Sequence, residues 1–263
     1  MTELGPLGAT HSSLDTDAAV ETAAELEELG YATLWLAGGQ GNNLPRITEV
    51  VRGTSRIQVA SGILSVDRVP SAAVTSAYAE LPAGRFVVGL GGAHGARPLA
   101  ALNDYLDEIE EAVPPAARIL SALGPRMLEL ARDRAAGAYP YLVTTDYVAS
   151  AREILGAGRQ LAVLMNVVAE TGQAKVREVV RGGSLKFLAG MPGYAANFRR
   201  MGFTEADLAD LSDRLDDGLT EWGDFDAVAA RLREYRAAGA DQVVVRLDGL
   251  PREWWPELVK ALG

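Results

Sequence analysis

The chain has 263 residues, 48% of them hydrophobic, with 25 basic against 35 acidic residues, a net charge of −10 and no cysteine. That length supports one large core, the acidity argues against nucleic acid or an anionic membrane as partner, and the missing cysteines exclude disulfides, thiol nucleophiles and thiolate metal sites. No apolar run reaches the ~18 residues of a membrane span, and the first residues lack the basic and apolar regions of a signal peptide, so a cytoplasmic protein acting on a small molecule is expected.

Leu7 to Thr10 forms a weak first strand that ends at His11, Ser12 and Ser13. Asp15 or Asp17 is expected to cap a helix with apolar positions Ala19, Val20, Ala23, Ala24, Leu26 and Leu29, which Gly30 ends. Thr33–Ala37 is the second strand, followed by the loop Gly38–Asn43 and a helix from Pro45 to Arg52. Ile57–Ser61 is the third strand, leaving through Gly62–Ser65, and Pro70 opens the next helix to Leu81. Phe86, Val87, Val88 and Leu90 make the most strand-like segment of the chain. Gly89, Gly91 and Gly92 interrupt it, and His94 and Arg97 follow.

Residues 99–112 read as an acidic helix, and Arg118–Leu123 as the fifth strand. Gly124-Pro125 then turns directly into a helix with proline at its first position. Ala138–Val143 is the sixth strand, Thr145–Leu155 a helix and Leu161–Val168 the seventh strand. Residues 171–218 read as helical with breaks at Gly182-Gly183 and Met191–Gly193. Asp224 caps a helix that ends at Gly239, Gln242–Leu247 is the eighth strand, and Pro251–Leu262 closes the chain as a helix. Eight near-continuous apolar strands alternating with helices predict a single α/β domain over 1–263, a closed (β/α)8 TIM barrel.

Functional groups of such a barrel cluster on the loops after the strands. His11, Gly38–Asn43, Gly62–Ser65, Gly91–Arg97, Gly124–Met127, Tyr139, Tyr141 and Arg246 all fall on that side. The two histidines, His11 and His94, are there together. The Gly124-Pro125 turn leaves backbone N–H groups free at a helix N-terminus, where the dipole favours an anion. Arg126 in the first helical turn strengthens the expectation of a phosphate. There is no G-x-x-x-x-G-K-[ST] loop, Gly89-Leu-Gly91 lacks the third glycine of a dinucleotide fingerprint, and two histidines without cysteine predict no transition-metal site.

Glu27–Leu36, Thr54–Leu64 and Gly84–His94 carry a resemblance to the bacterial luciferase-like monooxygenases, in particular their coenzyme F420 (deazaflavin)-dependent oxidoreductase branch. Ala122–Ala131, Ala136–Leu142, Asn197–Phe203 and Trp222–Asp224 resemble one actinobacterial-type subgroup. The match spans nearly the whole chain in order. It implies a luciferase-like barrel, a homodimer, and a flavin or deazaflavin ring at the C-terminal mouth. The resemblance also implies a non-prolyl cis peptide at Gly62-Ile63 behind the ring. Cofactor contacts are then expected at Gly38, Gly39, Gly62, Ile63, Gly91 and Gly92, with the phosphate at Leu123, Gly124, Pro125 and Arg126. His94 becomes the candidate catalytic proton carrier, since imidazole titrates near neutral pH. The implied activity is hydride transfer between F420 and a small organic substrate. The alternatives are an FMN-dependent monooxygenase and a degenerate barrel that binds cofactor without turnover. The chain departs from its relatives in having Gly38-Gly39 where an acid and a histidine are common, His94 where some carry glutamate, and a short Leu81–Gly84 connection.

Overall fold

The computed structural model describes residues 3–38, 41–93 and 95–263. Among these, eleven strands form in chain order: β1 Leu7–Thr10, β2 Thr33–Leu36, β3 Gln58–Ser61, β4 Leu64–Ser65, β5 Phe86–Gly91, β6 Arg118–Leu120, β7 Gly137–Ala138, β8 Gln160–Met165, β9 Val167–Val168, β10 Glu221–Trp222 and β11 Gln242–Arg246. All the barrel pairings are parallel. They run β1–β2–β3–β5–β6–β7–β8–β11, and β11 closes on β1 through Leu7↔Val243 to Thr10↔Arg246. This is the predicted closed eight-stranded barrel. The third barrel strand is interrupted at Gly62-Ile63 and resumes as β4, so β5 pairs first with β3 and then with β4.

Two side-chain layers result from strands buried on both faces. Between sheet and helices lies the large core, with Leu34, Val59, Val88, Leu120, Val163 and Val245 among its strand members. Inside the barrel are Leu4, Trp35, Ala60, Val87, Ile119, Tyr139, Ala162 and Val244. Trp35 and Tyr139 fill most of this interior as a stacked pair, ring centroids 3.8 Å apart and 6° from parallel. Small residues face them, as layered barrel cores require. Gly8 also makes room, because a Cβ there would lie 2.9 Å from the Gln242 side-chain oxygen. That oxygen accepts the Trp35 indole N–H at 2.8 Å, and the Gln242 amide N–H groups reach the carbonyls of Leu4 and Gly5. A fully buried amide is thereby satisfied.

Several local expectations are corrected. Neither Asp15 nor Asp17 caps the helix Ala19–Leu29: its cap is Ala18, with no side-chain bond, and Asp15 belongs to the short 3-10 turn Ser12–Asp15. The fifth barrel strand stops at Leu120, not Leu123, and the sixth is only Gly137–Ala138. Tyr141 keeps a lone bridge to Leu164. The apolar runs continue past the strands because the mouth loops are themselves packed. The helix after β5 is Pro98–Glu108, and the last helix starts at Trp254. By contrast, Gly30 adopts φ 100° at the helix end, and Asp224 caps the helix Phe225–Ala237 by accepting from the Ala227 N–H.

The segment between β9 and β10 folds as five short helices, Gln173–Gly182, Leu185–Ala189, Pro192–Arg200, Glu205–Asp210 and Asp213–Leu219. They share a separate apolar cluster that includes Val176, Phe198, Phe203, Leu215 and Leu219 and reaches Leu142 and Val168 at the mouth. No helix among the described residues is long and apolar enough to cross a membrane.

One buried carboxylate holds the β2–β3 side of the barrel. Glu27 accepts backbone N–H groups from Ser55, Arg56 and Ile57 at 2.7–3.1 Å. Burial alone raises its pKa, but the three N–H donors outweigh burial and hold it below the ordinary 4.5. A depressed folded-state pKa stabilises the native state above the unfolded value, and that contribution disappears as the pH falls through the folded one. Glu27→Gln is therefore expected to cost about 1.5–3 kcal/mol at pH 7. The deficit should shrink as the pH drops below 4.5, and denaturant melts at pH 7 and pH 3.5 measure it. An equal deficit at both would show that the charge contributes nothing.

Candidate active site

The mouth of the barrel is assembled from strand ends that the sequence spaces 20–40 residues apart. At its centre is the Gly62-Ile63 peptide, which is cis, as the resemblance implied. Gly62 N–H donates to the Leu36 carbonyl at 2.7 Å, holding this turn against the end of β2. Ile63 rests on the interior cluster above Trp35 and Tyr139, and two glycines let the chain close around it. A Cβ on Gly38 would fall 1.4 Å from the Ile63 carbonyl oxygen, and one on Gly91 would lie 3.0 Å from Ile63 Cδ1 and 2.7 Å from Ser121 Cβ. Gly92, at φ 68°, accepts the Ser65 hydroxyl at 3.2 Å. Deeper, Gly89 N–H donates to Ser61 Oγ at 2.8 Å, and that hydroxyl donates to the Gly89 carbonyl at 3.0 Å.

The structure thus brings Gly38, Gly62, Ile63, Gly91 and Gly92 into one contiguous wall. Beneath it, Tyr139 Oη lies 3.4 Å from where a Gly62 Cβ would be. That hydroxyl has no hydrogen-bond partner among the described residues, and burial pushes its pKa well above the ordinary tyrosine value, with Arg246 opposing. It is held as a neutral donor. Gly39 and His94 lie outside the described residues.

His11 is at the mouth but carries structure. Its Nδ1 accepts the Ser13 N–H at 3.1 Å at the start of the 3-10 turn, which directs Nε2 to Asp248, 3.7 Å away. The Asp248 carboxylate also accepts the Ser12 N–H at 3.0 and 3.2 Å, tying the end of β1 to the end of β11. Arg246 and Asp248 line a cleft of about 210 Å³ with Tyr141, Asn166 and Ser184.

Leu123 and Pro125 line a larger pocket, about 500 Å³, together with Thr144, Tyr147, Asn197 and Arg200. Tyr147 pins the turn by donating to the carbonyls of Ala122 and Leu123 at 3.1 and 3.0 Å. Gly124 is the cap of the helix Pro125–Arg134, with extended backbone and no side chain to satisfy the first turn. Arg126 is exposed and does not line the pocket. The cation that faces Gly124 is instead Arg200, whose guanidinium lies 3.3 Å from where a Gly124 Cβ would be. Sequence reasoning did not place Asn197 or Arg200 here. Their one signal was the Asn197–Phe203 motif, which carries no positional information. Among the described residues, no group of His, Asp and Glu is arranged to hold a metal ion.

No family model matches the sequence, and no curated protein does so significantly. Solved structures do match, over nearly the whole chain. A coenzyme F420-dependent tetrahydromethanopterin reductase from Methanopyrus kandleri superposes with a TM-score of 0.69 at 17% identity, covering 98% of this chain and 97% of that one. This is the luciferase-like barrel fold. An F420-dependent secondary alcohol dehydrogenase, solved with an F420–acetone adduct, matches this luciferase-like barrel with a TM-score of 0.67 at 12% identity, covering 98% of both chains. The oxygenating constituent of 3,6-diketocamphane monooxygenase from Pseudomonas putida, in complex with FMN, gives 0.66 at 14% identity over 98% of this chain and 96% of that one.

Proposed function

We propose that this luciferase-like barrel is an oxidoreductase that binds coenzyme F420 and moves a hydride between it and a small organic substrate. The observation that carries this reading is the positive turn at Gly124, two strands along the barrel from the glycine-walled surface at Ile63. A planar ring with a phosphate-bearing side chain needs that pairing of a close-approach wall and an anion site. The residues fit such a group. Gly38 and Gly91 leave backbone without Cβ against Ile63, Gly62 does so over Tyr139, and Gly92 does so against Ser65. The N–H of Arg126, in the first turn of its helix, has no intrahelical acceptor. When bound, the deazaflavin accepts or donates the hydride.

The chain's own residues orient the ring against the Ile63 wall, keep water from the floor with the Trp35–Tyr139 stack, and supply protons. His94, which follows Gly91-Gly92 in the sequence, is the proposed proton carrier. The F420 preference is supported by the motifs at 122–142, and the fold is one on which both F420 and FMN are bound in solved structures.

Fluorescence-quenching titrations with F420 and with FMN test the reading, with tighter binding of F420 expected. Equal or reversed affinities would remove the F420 assignment, and binding of neither would remove the function. Where F420 binds, reduction of a panel of enones follows. In that assay His94→Ala should lower turnover roughly 10²-fold with little loss of cofactor affinity. Wild-type kinetics in that variant would end the role of His94.

A further inference from the structure

The pocket beside the Gly124 turn contains an electrostatic imbalance. Arg200, near the end of the helix Pro192–Arg200, faces the N-terminus of the helix Pro125–Arg134, so a full positive charge opposes the positive end of a helix dipole. The C-terminal end of its own helix favours this charge while the facing N-terminus opposes it, so an anion between the two would stabilise both the arginine and that N-terminus. None of the chain's own carboxylates supplies it: among the described residues the only hydrogen-bond partner of Arg200 is the Asn197 side-chain oxygen, at 3.0 Å, and it has no ion-pair partner. The pocket's one acid, Asp146, sits in the first turn of its own helix, Thr145–Leu155. The pocket's other cation, Arg214, is occupied by Asp207 and the Gly202 carbonyl. In a chain of net charge −10, an arginine left without a carboxylate against a helix N-terminus marks a place kept for an external anion.

Asn197 gives a second, independent indication. It is fully buried and lines the same pocket, and its side-chain N–H group has no partner among the described residues. A buried polar group left this way costs stability unless a ligand completes its bonding.

We propose that Asn197 and Arg200 complete a phosphoryl-binding site with the Gly124 turn, and that the bound group ties the helical segment 173–219 to the barrel. The proposal rests on the phosphate reading above and extends it to residues on the inserted helices. Arg200 binds the phosphoryl oxygens, and Asn197 is a positioning residue that orients the guanidinium. A side chain at Gly124 would crowd the Arg200 guanidinium, which lies 3.3 Å from where its Cβ would be.

The test uses the full-length protein with inorganic phosphate as probe at constant ionic strength, and F420 in parallel. Phosphate is expected to compete with F420 and to slow amide hydrogen exchange in both 123–128 and 192–200. Arg200→Ala should weaken phosphate and F420 binding at least tenfold, and Arg200→Lys should restore part of it. Gly124→Asp, whose carboxylate would pair with Arg200, should abolish the phosphate effect. Arg200 is exposed, so its variants are expected to fold, and circular dichroism checks this. If Gly124→Asp weakens binding while Arg200→Ala does not, the inference fails and the phosphate reading stands. If neither variant alters F420 binding, both fail. Protection confined to 123–128 would also overturn the coupling to the inserted helices.

Discussion

Gly38→Asp, the substitution that puts an acid where the family resemblance leads one to expect it, is expected to break the fold rather than improve the site. Any Cβ at position 38 would meet the Ile63 carbonyl oxygen at 1.4 Å and its carbon at 2.3 Å. Both belong to the backbone, so no side-chain rotation relieves the overlap, and the wall of the mouth would have to move. Overpacking against side chains costs about 1–3 kcal/mol, and overlap with fixed backbone costs at least the upper part of that range. Gly38→Ala should share most of the loss, since the clash begins at Cβ. Gly41 in the same loop has nothing within 4 Å of a built Cβ, and Gly41→Ala serves as the neutral control. Denaturant unfolding of the three variants is the measurement. A Gly38→Asp protein as stable as wild type would show that the loop repacks, and would reopen position 38 as a place for an acid.

The second large effect belongs to the barrel interior. Trp35→Ala removes a side chain only 1% exposed, its stack on Tyr139 and the donor to Gln242. Large-to-small changes of buried aromatics cost about 3–5 kcal/mol, and an orphaned buried acceptor adds about 1–3 kcal/mol. For a domain of this size that corresponds to a fall in Tm of roughly 10 °C or more. Trp35→Phe separates the two terms, keeping a ring on Tyr139 while losing the bond to Gln242, and should fall between. A Trp35→Ala protein melting within 3 °C of wild type would mean that the interior collapses to fill the gap. Because Tyr139 lies directly under Gly62, the same variant should also loosen the mouth, read as weaker binding of the proposed cofactor in the folded fraction.

What the sequence determined by itself was local or periodic. Near-continuous apolar runs such as Phe86–Leu90 define parallel strands, because such strands are covered on both faces. Gly30 marks a helix end because it alone tolerates φ 100° there without cost. Gly124-Pro125 marks a helix start because proline suits the first position and lacks the N–H that would go unpaired. From the residues the barrel was legible, and so was the end of it that holds the candidate site. The cis peptide at Gly62-Ile63 came from resemblance alone.

The tertiary structure decided everything that depends on two distant segments meeting. Gly38 reads from the family resemblance as a missing acid; in the fold, glycine there leaves the room that the Ile63 carbonyl occupies. Trp35 reads as one more apolar strand residue, yet the closure of β11 on β1 places Gln242 beside it. Arg126 and Arg200 are both exposed arginines near helix ends, and no periodicity distinguishes them. Only the packing of the inserted helices against the barrel turns Arg200 toward Gly124 and leaves Arg126 outside the pocket, because charge pairing across a site is set by through-space distance and not by separation along the chain.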